Sequence, residues 1–412
     1  MTLADWLDCD AVSVRLVESS MRLEAAESAA ERFLEAATAL RELGIHADAE
    51  VVACWAPGRV EVFGKHTDYC GGQSLLAAAE RGFAMLAAPR VNNSVCIKDA
   101  RTGELSEFAL RADLEPVLGH WSNYPQTVAR RVATNFPDTT RGADIAFASN
   151  LPPAAGMSSS SAFVVGTFLW LSSVNRLCEH PLYKEAIHGK EDLAGYISTI
   201  ENGMSFGPLV GLRGVGTFGG SEDHTAILCG KSGALVAYTY CPVQYVHSMP
   251  MDERYAFAIA SSGVVAEKTG AALESYNRVS LLVRAIVELW QISTGNNEAS
   301  LAAILASSPQ APNELRSILE STPHAIFSRH ELLQRLDHFE GENYAIQGQL
   351  PAKLDSQSAK AFGKLAVQSH RAADILLKNQ TPETNRLVEY AVELGAYGAS
   401  AFGAGFGGSV WA

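Results

Sequence analysis

Residues 143 to 177 read ADIAFASNLPPAAGMSSSSAFVVGTFLWLSSVNRL, and no other stretch constrains the architecture as much. ADIAFAS has the composition of a strand, Pro152, Pro153 and Gly156 punctuate a loop, and a serine run then opens a long apolar helix. Strand, loop and helix N-terminus in that order predict an α/β or α+β chain. The flanks agree. Apolar residues recur at helical spacing from Val17 to Leu43, whereas 51 to 63 and 74 to 99 hold short apolar runs broken by Pro, Gly and Asn, as in a sheet. EDLAGYISTIENG, from Glu191, reads as a helix with Leu193, Tyr196, Ile197 and Ile200 on one face. ALVAYTY and YAFAIASSG read as strands, and helices are expected at 272 to 292 and 358 to 377. A change of character around CPVQYVHSMPMDE suggests two domains, 1–245 and 246–412.

Composition narrows the function. A chain of 412 residues, 47% apolar and 19% charged, can bury a large core. Its net charge of −13, with no basic block, argues against nucleic acid or an anionic membrane as partner and for a small ligand. The seven cysteines are odd in number and never spaced as CxxC, which predicts reduced thiols in a cytoplasmic protein without a structural zinc site. The acidic start MTLADWLDCD is unlike an export signal, and no uncharged apolar run approaches the roughly 18 residues of a spanning helix. The oligomeric state is open, with a monomer as one possibility.

Three glycine-bearing segments could handle phosphate. GAGFGG at 403 to 408 satisfies GxGxxG, but the dinucleotide fingerprint requires a following helix and an acidic residue about 20 positions on, and the chain ends at Ala412. A Walker loop is absent. LPPAAGMSSSSA at 151 to 162 could cradle a phosphate on unpaired helix N–H groups, or could be a serine-capped core helix. GRVEVFGKHTDYCGG at 58 to 72 gathers Arg59, Lys65, His66 and Asp68 within a few positions.

Together these segments resemble a known family. GRVEVFGKHTDYCGG is similar to the sugar-recognition signature of galactokinases, LPPAAGMSSSSA to the nucleotide-phosphate motif of the GHMP kinases, and GAYGASAFGAGFGGSV to their C-terminal glycine motif, in the family's order. WSNY and SGVVAEKTGAALESYNRV also look like galactokinase segments. The resemblance implies a two-domain GHMP kinase-like fold, an N-terminal α/β domain and a C-terminal domain around an antiparallel sheet, with the site in the cleft between them. It implies ATP-dependent phosphorylation of a monosaccharide hydroxyl, with ATP and Mg2+ required. A sugar- and ATP-binding sensor without turnover is the alternative.

Residue by residue, the resemblance makes Arg59 the cation at the transferred phosphate and Asp223 the carboxylate that orients or deprotonates the attacking hydroxyl, with Glu222 as a competitor. Such chemistry asks for positioning and charge neutralisation. Glu61, Lys65, His66 and Asp68 would face the sugar. Gly156, Ser158, Ser159, Ser160 and Gly405 would face the phosphates, Trp121 and Tyr124 would border the adenine, and Ser160 with Glu201 would hold Mg2+. Glu201 could equally be a solvated helix-end carboxylate.

The departures matter as much. Galactokinases usually show GRVNLIGEHTDY, so Glu61 stands for asparagine and Lys65 for glutamate, and Ala154 replaces a motif glycine. An ion pair at ~4 Å is worth about 4 kcal/mol at an effective dielectric of ~20 before desolvation. Lys65 could therefore favour a sugar with a C6 carboxylate, or could pair with Glu61 or another acid and leave galactose as substrate. The glycine-heavy run GMSFGPLVGLRGVGTFGGSED, between Glu201 and Asp223, is either a surface insertion or a reshaped wall of the sugar site.

Overall fold

Alternation along one long strand explains how the N-terminal part is layered. The computed structural model describes residues 1–138, 141–152, 156–264 and 273–412. Strands β1 (Val52–Phe63), β2 (Gln73–Pro89), β3 (Ser94–Asp99), β4 (Leu105–Ala109), β5 (Ala143–Ser149), β6 (Ala234–Thr239) and β7 (Gln244–Pro250) form one seven-stranded sheet. Successive side chains of a strand point to opposite faces. In β2, Ala84, Leu86 and Ala88 accordingly enter one cluster with Phe33, Ala37 and Leu40 of helix Leu23–Glu42. Phe83, Met85 and Ala87 enter the other, with Val164, Val165 and Phe168 of helix Ser159–Asn175. Both faces of the 82–88 stretch are covered, so it is buried throughout.

Strand β2 outruns any one partner. Along one edge it pairs with β1, from Val52 opposite Ala87 to Phe63 opposite Leu75; along the other it pairs with β5 at Phe83 to Pro89 and with β6 at Gln73 to Leu76. All pairings are antiparallel except β3 with β5. Helix Ser159–Asn175 is apolar on every side because it lies between the sheet and helices Asn123–Asn135 and Lys190–Asn202, so Trp170 and Phe168 are sealed from water. Truncating Phe168 to alanine would cost about 3–5 kcal/mol.

The chain after Pro250 builds a helical layer and a small sheet. Helices Leu273–Thr294, Leu301–Ser307, Ala311–Ser321 and Arg329–Glu340 close around Trp290, Leu315 and Phe339. Strands β8 (Ile259–Ser261), β9 (Ser400–Ala401) and β10 (Ser409–Trp411) pair in the order β8-β10-β9. Phe362, Leu365, Phe402 and Trp411 join the same large cluster as the first sheet, so apolar packing is continuous across position 245, which itself lies inside β7. Among the described residues no helix is long and apolar enough to cross a membrane, and all seven cysteines are unpaired.

Candidate active site

The 58–72 segment ends β1 and turns back into β2, and two irregularities aim its charged residues. The register of β1 against β2 shifts between Pro57 and Arg59 and again between Glu61 and Phe63. Bulges of this kind re-aim side chains at the rim of a sheet. Arg59 and Glu61, two residues apart, both line one cleft, together with Asp68, Glu201, Glu222 and Asp223.

Arg59 is the hub. Its Nε and Nη2 both lie 2.7 Å from Asp223 Oδ1, and its Nη1 donates to the Gly156 carbonyl at 2.6 Å. Ser161, in the first turn of helix Ser159–Asn175, donates to Asp223 Oδ2 at 3.3 Å. Burial pulls the Arg59 pKa down, but the charges of Asp223, Glu222 and Glu61 outweigh it and keep the guanidinium charged. Gly156 in turn lies against the backbone of Phe402, Gly408 and Ser409, which brings the 151–162 and 403–408 segments together beside Arg59.

The start of helix Ser159–Asn175 is not a serine cap. Ser158 lies in the left-handed region, caps nothing, and its buried Oγ has no hydrogen-bond partner. The N–H groups of the first turn are therefore left for another acceptor. Ser159 and Ser160 are partly exposed there. Ala154 lies outside the described residues.

At the floor of the cleft two carboxyl groups lie side by side, and burial raises both. Glu222 is pushed well above its ordinary range, first by burial and then by the charges of Glu61 and Asp68. Glu61 is raised by burial, opposed by Lys65 and Arg59, and hydrogen bonds Glu222. Of the two, Glu222 is the one that burial and its acidic neighbours push furthest toward the neutral form. Ser74 Oγ also donates to Glu222 Oε2 at 2.7 Å.

Asp68 accepts from the Tyr69 and Glu222 backbone N–H groups, at 2.9 and 3.2 Å. Gly220 passes so close that a Cβ would sit 2.4 Å from Asp68 Oδ2, so only glycine fits that wall. His66 lines the cleft with both ring nitrogens engaged: Nε2 donates to the Ala404 carbonyl at 3.1 Å, which leaves Nδ1 to accept from the Tyr69 hydroxyl at 2.8 Å. The 203–222 run divides its work. Arg130 donates to the Arg213 carbonyl and Val215 N donates to Glu201 O at 2.9 Å, while Thr217, Gly219 and Gly220 reach the cleft.

Lys65 corrects an expectation. It does not line the cleft with its motif neighbours; it is 1% exposed and donates from Nζ to Ser369 Oγ at 2.9 Å. Ser369 donates on to Glu342 Oε1 at 3.0 Å, and the Gly64 N–H donates to the same oxygen at 2.8 Å. The chain reverses at Gly64 (φ 104°) and His66 (φ 55°), which throws the Lys65 side chain toward helix Ala359–Ala372. A sugar carboxylate recognised by Lys65 therefore finds no support in the geometry.

Trp121 and Tyr124 also lie outside this cleft. Trp121 packs on Phe147 and Phe163 and donates its indole N–H to Glu104 at 2.8 Å. Gly405 sits in the 403–408 turn against Asn379. Glu201 lines the cleft; its Oε1 is buried without a hydrogen bond, 3.2 Å from His224 Nε2.

Residues that the sequence did not single out complete the wall. Tyr276 and His224 line it, and Arg335 supports the loop from behind by donating to the His66 carbonyl at 2.6 Å and to Cys70 Sγ at 3.0 Å. Tyr276 fell within a galactokinase-like segment and His224 follows Asp223; Arg335 had no local signal.

Comparisons with known proteins point to one family of kinases. Residues 45–89 match the galactokinase galactose-binding signature, 123–209 the N-terminal domain of GHMP kinases, and 352–412 their C-terminal region. The chain thus carries the N- and C-terminal matches of the GHMP kinases, ATP-dependent kinases of small molecules, and resembles them over most of its length. Within them it is galactokinase-like, a sugar kinase. It is 27% identical over 356 residues to a galactokinase of Roseiflexus sp. (strain RS-1), covering 86% of this chain and 81% of that one. It is also 27% identical over 371 residues to one of Clostridium beijerinckii, covering 88% and 84%. In structure it resembles the Lactococcus lactis galactokinase complexed with galactose, with a TM-score of 0.70, 21% identity and 91% and 88% of the two chains covered. Methanococcus jannaschii mevalonate kinase shares the fold at a TM-score of 0.50 and 15% identity, with 89% and 91% covered.

Proposed function

We propose that the cleft binds a hexose against His66, Asp68 and Tyr276 and transfers the γ-phosphoryl group of ATP to one of its hydroxyls, with galactose the first neutral candidate. The observation that carries this is the Arg59–Asp223–Ser161 contact. It joins a guanidinium suited to phosphate oxygens, a carboxylate able to orient a hydroxyl, and the N-terminal turn of a helix whose serine does not cap it. Asp223 orients the attacking hydroxyl and takes its proton, while Arg59 turns from Asp223 toward the charge developing on the phosphoryl oxygens. Gly156, Ser158, Ser159, Ser160 and Gly405 flank the polyphosphate, and Trp121 marks the adenine side.

Mg2+ fits the residues present. Glu201 offers a buried oxygen without a hydrogen bond, and Ser160 an accessible hydroxyl at the helix start. Among the described residues no cluster of three or more His, Cys, Asp or Glu is arranged for a metal. Glu201 and Ser160 would complete a shell supplied mainly by phosphate oxygens and water, and the ion would neutralise phosphate charge. One chain carries every residue invoked, and seven unpaired cysteines suit a cytoplasmic setting.

The non-catalytic sensor has no observation in its favour, since Arg59 and Asp223 are both present and in contact. The test is sugar-dependent ADP release with ATP and Mg2+ across a hexose panel. Stimulation by at least one sugar supports the reading; nucleotide binding with no stimulation by any sugar contradicts it.

A further inference from the structure

The floor of the cleft holds more negative charge than phosphoryl transfer uses. Glu61 is 3% exposed, yet it lines the cleft, and its Oε1 has no hydrogen-bond partner. Lys65 and Arg59 ease its burial through their charge, but their hydrogen bonds go elsewhere: Arg59 to Asp223 and the Gly156 carbonyl, Lys65 to Ser369. Glu222, the carboxyl neighbour of Glu61, leaves Oε1 unserved. A buried carboxylate left in that condition is costly, and a cation brought against it relieves the cost in a way that a neutral hydroxyl does not. An ammonium group also carries three donors, enough for Glu61 Oε1 and a neighbouring acceptor. A resident divalent ion is a poorer occupant, because no metal-holding cluster occurs among the described residues.

We propose that the acceptor is an amino sugar whose ammonium group sits against Glu61. This rests on the sugar-kinase reading above and names its substrate class. The transfer is otherwise unchanged: the bond between the γ-phosphorus and the ADP oxygen breaks, a bond from phosphorus to a sugar hydroxyl oxygen forms, and the hydroxyl proton passes to Asp223. The amine binds and does not react.

The test compares ADP release by the full-length protein with galactose, 2-amino-2-deoxygalactose and 6-amino-6-deoxygalactose at neutral pH. At least one amine is expected to exceed galactose in kcat/KM by about tenfold or more, a discrimination within reach of one buried polar contact. Glu61→Gln should lower the kcat/KM of that amine at least ~10-fold more than it lowers that of galactose. Preference of the wild type for galactose over both amines overturns the inference and leaves the kinase reading intact, as does an equal loss on all sugars in the variant. Absence of ADP release with every sugar overturns both. The wild-type comparison decides even if Glu61→Gln fails to fold.

Discussion

Two buried charged networks flank the same loop, and only one of them faces the cleft. Arg59, Asp223, Glu222 and Glu61 form the first, each lining the cleft. Lys65, Ser369, Glu342 and the Gly64 N–H form the second, sealed between the loop and the C-terminal helices. Each draws its cation from one seven-residue stretch of β1 and its turn, Arg59 to Lys65, and sets it among acids or acid-linked groups from remote elements. Motif neighbours therefore divide between chemistry and anchoring according to backbone direction, and the lysine that departs from the galactokinase pattern belongs to the anchor. Glu342, which Lys65 reaches through Ser369, stands 277 positions further along the chain, as the residue numbers show.

This contrast can be broken by mutation. Asp223→Asn, on the cleft side, should reduce kcat by ~10²–10⁴-fold with nucleotide affinity retained, measured by ADP release and by titration with ATP. Lys65→Met, on the sealed side, should destabilise the fold by about 1–3 kcal/mol by leaving Ser369, and behind it Glu342, without a buried donor, read as a lower denaturant midpoint. Its loss of kcat/KM per folded molecule should be far smaller than that of Asp223→Asn. Adding Glu342→Gln should recover part of the stability; strict additivity of the two changes would dissolve the anchor.

The sealed side should also be sensitive to acid. His370, next to Ser369, is held down to about 4 from an ordinary 6.5, first by burial and then by Lys65. A depressed histidine contributes stability that is complete above 6.5 and is lost as pH falls toward 4, here by about 3 kcal/mol. His370→Gln should flatten that window of the stability profile. The cleft floor should respond to pH with the opposite sign. Glu222 has a raised pKa, so its stability contribution is complete below about 4.5 and declines as pH rises. Glu222→Gln should therefore gain stability at neutral pH and none in acid; a gain at every pH would deny the raised pKa.

Local periodicity made part of the fold legible. ADIAFAS is strand β5 over the same seven residues, and the helix read at 191 to 201 runs Lys190–Asn202. The expected 17–43 helix breaks at Ser20 (φ 71°) into Cys9–Glu18 and Leu23–Glu42. YAFAIASSG yields only Ile259–Ser261, and the helices from Leu301 to Glu340 were not singled out. The site shows the same limit. Arg59, Glu61, Asp68 and Asp223 could be read because residue type and motif position agree with where the backbone sends them. The direction of Lys65 could not, because it follows from two positive φ angles and from partners on remote helices. Arg335 is likewise visible only once helix Arg329–Glu340 lies behind the loop.

The central claim is that the cleft network carries phosphoryl transfer and the sealed network does not. Measuring sugar-dependent ADP release for wild type, Asp223→Asn and Lys65→Met, each normalised to folded protein, tests it most directly. The account predicts near-complete loss in Asp223→Asn with folding intact, and substantial turnover in the folded fraction of Lys65→Met. Full activity in Asp223→Asn, or complete loss in well-folded Lys65→Met, would contradict it.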